Sequence, residues 1–404
     1  MNIADKFNGK KILVWGYGRE GKSTVAFLKK NCIPESIDIF EGLPYELDER
    51  PYDIVIKSPG IYVEKVNRKF TSQTEIFLEA YREQVIGVTG TKGKSTTSSM
   101  LYKVLKDCTD RPVILVGNIG LPCLDYFDEV TGDTIIVYEM SCHQLMHAHI
   151  SPHIAVFLNF YEEHLDYYKS LRAYFKAKSH IVYYQNRGDF AYVGDNVPEL
   201  STKARMSIIS PEDVRHADYS LKILGEHNLY NAEFVRRIAE AQFGCDDEAV
   251  LKSLSEFEGL PHRLQYVKEK DGVKYYDDSI STIPEAAISA AESIPDAQTF
   301  LIGGMDRGVD YRALVNFIYM HREFDFVCMY DSGARIYDEL IKHFGGKEKR
   351  PPANVYLVKE LKEAVEKAKE ITKKGRAIVL SPAAASYGHF KNFEERGDVF
   401  ISLI

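Results

Sequence analysis

At 404 residues, with 45% hydrophobic and 27% charged side chains, the chain has the length for two or three domains of about 150 residues and the apolar content to give each a core. A net charge of −8 offers no bulk attraction to nucleic acid or to an anionic membrane surface, so neither is expected as a partner. No apolar run approaches the roughly 20 residues of a membrane span, and the six cysteines never stand as C-x-x-C, so free thiols and a cytoplasmic setting are expected.

In chain order, short β-branched runs alternate with longer helical patterns. "KILVW", "DIVIKS", "VIGVTG", "TIIVYEMS" and "HIAVFLNF" read as strands, and later "QTFLIGG", "FDFVCMY" and "GRAIVLSP" do the same. Their uniformly apolar character predicts burial on both faces of an α/β sheet. One boundary is expected at Tyr81 to Gln84, where a helical stretch gives way to a strand and a glycine loop. Another is expected at Gly259 to His262, where a charged helical run ends in Gly and Pro. The resulting α/β domains are 1–83, 84–260 and 261–404. The lysine-rich "LKEAVEKAKEITKKG" reads as a helix with a solvated face.

The tetrapeptide "GKST" occurs twice, each time after an expected strand and at the start of a helical pattern. "WGYGREGKST" satisfies both the triphosphate-loop spacing and G-x-G-x-x-G through Gly16, Gly18 and Gly21, with Asp38 about twenty residues on. That pattern makes residues 1–83 Rossmann-like and suits a ribose or sugar nucleotide. "GVTGTKGKST" misses the triphosphate spacing by one residue but has better chemical company. Gly90 and Gly93 form a cradle, Lys94 can reach phosphate, and Ser95 and Thr96 carry hydroxyls. Glu139 and His164 lie at or just past the ends of following strands, where ligands of open α/β sheets collect. The triphosphate is therefore expected at the second loop, in a central P-loop ATPase domain. The crowded Cys142, His143, His147, His149 and His153 lack the two separated ligand pairs of a structural zinc site and are expected at the core edge or surface.

Further pieces follow in order: "GNIG", "YEMSCHQL", "NFYEEHLDYY", "AKSHI", "GEHNLYNA", "LPHRLQ", "LIGGMDRGVDY" and "LSPAAASYGHFKNFEERGD". Through them the chain resembles the Mur ligase family over nearly its whole length, and within it the branch adding glutamate to UDP-N-acetylmuramoyl-L-alanine. The resemblance implies a Rossmann-like C-terminal domain that brings the amino acid, and a monomer. It implies ATP on Gly90, Thr91, Lys92, Gly93, Lys94, Ser95 and Thr96, with Asn228, Asn231, Arg263 and Asp278 as further nucleotide contacts. Magnesium, as two ions, would fall to Ser95, Glu139, His164 and a carbamylated Lys178. Lys94, Glu139, His164 and Lys178 would be catalytic. Gly18, Arg19, Glu20, Asp38, Gly60, Asn118 and His164 would hold the UDP-sugar, and Thr282, Arg307, Ser386 and Phe393 the amino acid.

One departure stands out. Where family members read "DSKATN", this chain reads "DSISTI", with Ile280 in place of a substrate-holding lysine and Ile283 in place of asparagine. An apolar side chain cannot pair with a carboxylate. D-glutamate is the expected substrate; a variant branch sharing "GREGKST" and "DSIST" adds L-glutamate and is the alternative. A folylpolyglutamate-type ligase would share the central ATPase domain but have no use for the first domain and its own glycine loop. A non-enzymatic nucleotide-binding regulatory protein would have no use for Lys94, Ser95, Glu139, His164 and Lys178 together.

Overall fold

The computed structural model of the protein describes residues 3–163, 165–215, 218–223, 225–344 and 352–404. Among these residues the strands form three sheets, each in an α/β domain. The first sheet contains β1 (Lys11–Trp15), β2 (Ser36–Phe40), β3 (Ile54–Lys57) and β4 (Phe70–Thr71), all parallel in the order β2-β1-β3-β4. The second contains β5 (Val85–Thr89), β6 (Val113–Gly117), β7 (Ile135–Glu139), β8 (Ile154–Phe157), β9 (Phe190–Gly194) and β10 (Arg205–Ile209). It too is parallel throughout, in the order β10-β9-β8-β5-β7-β6. The third has β11 (Gln265–Lys270), β12 (Val273–Asp277), β13 (Ala297–Ile302), β14 (Asp325–Cys328), β15 (Val355–Leu357) and β16 (Ala377–Leu380). Its order is β11-β12-β16-β13-β14-β15, with only the edge strand β11 antiparallel.

All eight apolar runs form strands, namely β1, β3, β5, β7, β8, β13, β14 and β16. Every residue of β5, β7 and β8 is buried, as expected of parallel strands covered on both faces. No helix among the described residues is long and apolar enough to cross a membrane.

The chain divides into two compact units, Met1–Leu221 with Glu226–Phe257, and Lys222–Gly225 with Glu258–Ile404. In the first unit a single core joins the first two sheets. Phe27, Ile76 and Phe77 share it with Val116, Tyr138 and Phe157. Phe27 packs edge-on against Phe127 at 4.7 Å, and Phe77 against Tyr138 at 5.9 Å. In the second unit successive strand residues alternate between two cores. Phe300, Phe326 and Val379 face one, and Leu301, Val327 and Ile378 the other. The helix Leu361–Ile371 buries Leu361, Ala364, Val365 and Ala368, which leaves its lysines on the solvated face.

Candidate active site

The loop after β5 is held by its neighbours. Asn159, just past β8, accepts from the Lys92 N–H at 2.8 Å and donates to the Lys92 carbonyl at 3.0 Å, while its own carbonyl accepts from the Thr91 N–H at 3.0 Å. Gly90 has φ +159° and Gly93 φ +81°; a Cβ on Gly93 would stand 2.7 Å from Asn231 Oδ1, so that position needs glycine for both shape and space. Gly93 caps the helix Lys94–Cys108, whose N-terminus receives no side-chain cap among the described residues. Ser95 and Thr96 lie half-buried in its first turn. Lys92 is exposed and pairs with Glu163 at 2.7 Å. Asn231 donates to Asn228 at 3.2 Å, which places both expected asparagines against the loop through Gly93.

Two ammonium groups converge on one oxygen. Lys94 Nζ donates to the Gly90 carbonyl at 3.0 Å and to that of Thr91 at 3.1 Å, and Lys178 Nζ reaches the same Gly90 carbonyl at 2.7 Å. Lys178, on the helix Leu171–Tyr183, is 1% exposed. Burial, and secondarily the charge of Lys94, pushes its amine down to about 7. Burial also lowers Lys94, with the Glu139 carboxylate pulling the other way. Glu139, at the end of β7, is wholly buried; its Oε1 accepts from Asn118 Nδ2 at 2.7 Å, and its Oε2 has no hydrogen-bond partner among the described residues. A buried carboxylate oxygen left unpaired is costly, and a cation would satisfy it. Carboxylate, hydroxyl and amide oxygens are the donors a magnesium ion takes. Lys178 fits such a site only as an anionic carbamate. His164 lies outside the described residues.

The only close trio of metal-type side chains among the described residues is Glu83, His153 and Asp189. Arg82 donates to Asp189 at 2.6 Å, and His153 Nδ1 lies 2.8 Å from the other Asp189 oxygen, so protein charges already match it. These residues precede β5, β8 and β9, at the sheet edge opposite the glycine loop. Of the crowded histidines, His147 follows the one-turn helix Cys142–Leu145 and sits by the Val63 carbonyl, consistent with a core-edge position.

In the first loop the three glycines differ. A Cβ on Gly21 would meet the Gly16 carbonyl oxygen at 2.0 Å, and one on Gly16 (φ +91°) the Ser58 hydroxyl at 2.7 Å. Both are needed for the turn itself. Gly18 and Gly60 have nothing within 4 Å and ordinary φ, so the fold leaves open space beside them. Asp38 is exposed on the edge strand β2. Arg19 donates to the Gly120 carbonyl at 2.6 Å. Glu20 turns inward, accepting from Gln144 at 2.7 Å; burial pushes its carboxyl up and the charge of Lys57 opposes this. Lys57, which sequence reasoning passed over as a strand residue, is buried and pushed down to about 8; it lines a cavity with Glu20, Ser72, Thr74, His143 and His147. Lys22 is exposed, whereas Ser23 is buried and accepts from Gln73 at 3.0 Å, because the helix packs that face on its neighbour. This loop therefore has no free hydroxyl beside its lysine.

In the second unit Asp278 is buried, accepting from Ser281 at 2.5 Å, Ser381 at 2.8 Å and the Leu264 N–H at 3.1 Å; burial pushes it up to about 6. Arg263, Thr282 and Arg307 are exposed, Phe393 is half-buried and Ser386 is buried. Thr282 shares its turn with Ser279, whose hydroxyl donates to the Phe393 carbonyl at 2.7 Å.

Comparison with known proteins agrees with this architecture. Residues 88–206 match the Mur ligase middle domain. The chain is 31% identical to the UDP-N-acetylmuramoylalanine–D-glutamate ligase of Oenococcus oeni, covering 98% of this chain and 97% of that one. It is 32% identical to the corresponding ligase of Aquifex aeolicus, covering 98% of both. The fold resembles the Thermotoga maritima MurF ligase solved with ADP, with a TM-score of 0.59 at 17% identity over 99% and 96% of the two chains. It also resembles the Yersinia pestis bifunctional folylpolyglutamate synthase/dihydrofolate synthase, with a TM-score of 0.57 at 14% identity over 82% and 92%.

Proposed function

Because the chain belongs to the Mur ligase family, we propose that it joins D-glutamate to UDP-N-acetylmuramoyl-L-alanine with cleavage of ATP to ADP and phosphate, in peptidoglycan precursor synthesis. The observation that carries this reading is full-length similarity to ligases of that activity, retained together with the convergence of Lys94, Lys178 and Glu139 at a glycine loop. The substrate carboxylate attacks the γ-phosphate to give an acyl phosphate, and the glutamate amine then displaces phosphate through a tetrahedral intermediate. Lys94 turns from the carbonyls of Gly90 and Thr91 to phosphate oxygens. The N–H groups of Gly93 to Thr96 orient the same phosphates. Ser95, Glu139, His164 and the carbamate of Lys178 would hold magnesium, which supplies charge neutralisation on the phosphates when bound. A lysine whose amine sits near neutrality in its buried site is a ready partner for carbon dioxide, which supports that modification. Asn118 orients Glu139 and faces the muramoyl substrate, whose UDP end lies along Gly18, Arg19, Glu20, Asp38 and Gly60. Asn228, Asn231, Arg263 and Asp278 meet the nucleotide, and Thr282, Arg307, Ser386 and Phe393 meet glutamate.

The test is ADP release by the purified protein with UDP-N-acetylmuramoyl-L-alanine and each glutamate isomer. Turnover is expected only with nucleotide sugar and amino acid together, with kcat/KM for the D-isomer higher by about 100-fold or more. Preference for the L-isomer would support the alternative suggested by Ile280. Ligation of neither would sink the reading.

A further inference from the structure

Arg396, in the first turn of the helix Phe393–Leu403, is wholly buried, and no carboxylate among the described residues lies within ion-pair distance of it. Its donors go to neutral acceptors on two other segments. Nε reaches Ser279 Oγ at 3.0 Å, Nη2 the Ser279 carbonyl at 2.7 Å, and Nη1 the Ala384 carbonyl at 3.0 Å. Ser279 Oγ passes the link back to the helix through the Phe393 carbonyl, and the Ser279 N–H donates to Asp277 Oδ1 at 2.9 Å. The other oxygen of Asp277 lies 2.7 Å from His262 Nδ1, and the His262 carbonyl accepts from the Ile280 N–H at 3.1 Å. A Cβ on Gly397 would stand 2.1 Å from His262 Nδ1, so the helix backbone lies directly on this pair.

A buried arginine without a paired carboxylate is a poor stabiliser. Taking its charge out of water costs free energy that neutral acceptors offset only in part. Burial here pushes the guanidinium down to about 10, a measure of that cost. What the side chain does supply is a rigid, planar fork with donors in fixed directions. The fork spans the turn after β12, the turn after β16 and the start of the last helix. These three segments carry Thr282, Ser386 and Phe393.

We infer that Arg396 is the positioning residue of the amino-acid site, setting the spacing of three substrate-bearing segments without touching substrate itself. This inference rests on the ligase reading above. The test uses steady-state kinetics and thermal melts of the full-length protein, wild type beside Arg396→Met, Arg396→Lys and Ser279→Ala. Arg396→Met is expected to melt cooperatively, to raise KM for glutamate about tenfold or more, and to leave KM for the UDP-sugar substrate within about twofold. Arg396→Lys should recover part of the loss, and Ser279→Ala should show the same split in smaller measure. An unchanged glutamate KM in folded Arg396→Met or Ser279→Ala overturns the inference, as does an equal loss towards all substrates, which marks a merely structural role. Should Arg396→Met not fold, Ser279→Ala decides by the same criterion, since it keeps the guanidinium and its two carbonyl contacts. A wild type that ligates no amino acid overturns the ligase reading, and this role with it.

Discussion

Lys94 and Lys178 place two amino groups on the Gly90 carbonyl, where burial disfavours the charge of both and Lys94 adds its repulsion on Lys178. An anion at the loop would relieve it by drawing Lys94 away. Lys94→Ala is therefore expected to lower ligation by about 10³-fold or more, the scale of a lost phosphate-stabilising contact in a dry site. Calorimetry should find binding of the UDP-sugar substrate within about twofold of wild type; loss of that binding alone would tie the loop to the wrong ligand. Asp278 gives a pH-dependent prediction. Its folded pKa of about 6 lies above the ordinary value near 4, so between those values the folded state holds more protons than the unfolded one. The stability it contributes is present below about pH 4 and lost as pH rises through 6. Asp278→Asn, whose serine partners can turn to accept, should lose this slope. Its stability relative to wild type should improve from pH 4 to 6 in thermal melts; a constant difference would refute the prediction.

At the scale of elements, the two glycine loops show what sequence pattern can and cannot carry. Pattern matching favoured "WGYGREGKST", yet the residues that would complete a triphosphate site are spent elsewhere: Ser23 is turned to Gln73 and Lys22 to solvent. Chemical company at strand ends favoured the second loop through Lys94 and Glu139, whereas Lys178 stood out only through the family resemblance, and the meeting of the two lysines on the Gly90 carbonyl was not legible. The clamp made by Asn159, the inward turn of Glu20 and the Arg396 fork were not legible, because each depends on a contact between segments far apart in the chain. Strands followed the same division. Eight apolar runs announced themselves, whereas the two-residue β4, the exposed edge β10 and the polar edge β11 exist only through their neighbours. The unequal glycines make a direct test. Gly21→Ala puts a Cβ against the Gly16 carbonyl and should cost about 1–3 kcal/mol or more, read from denaturant melts. Gly18→Ala meets nothing and should melt like wild type, while raising KM for the UDP-sugar substrate if that loop lies against it.

At the scale of the whole molecule, three sheets do not mean three independent folding units. The first sheet's helices complete their core with residues of the second: Phe27 against Phe127, Phe77 against Tyr138, and Thr74 hydrogen-bonded to the Tyr138 hydroxyl at 2.9 Å. Exposing Phe27 and Phe77 alone would cost about 3–6 kcal/mol, a large share of the 5–15 kcal/mol that holds a typical domain folded. The third sheet is different. Among the described residues both of its cores are built from residues of 264–404, and it meets Lys222–Gly225 at the Lys222–Glu258 ion pair and at the close approach of Ile223 to Gly259. An exposed ion pair of that kind contributes about 1 kcal/mol at most. Residues 258–404 expressed alone should therefore give a cooperative thermal transition by circular dichroism, and residues 1–83 alone should not. A folded 1–83 fragment would mean that the shared core is dispensable, and a non-cooperative 258–404 fragment would mean that its two cores do not suffice.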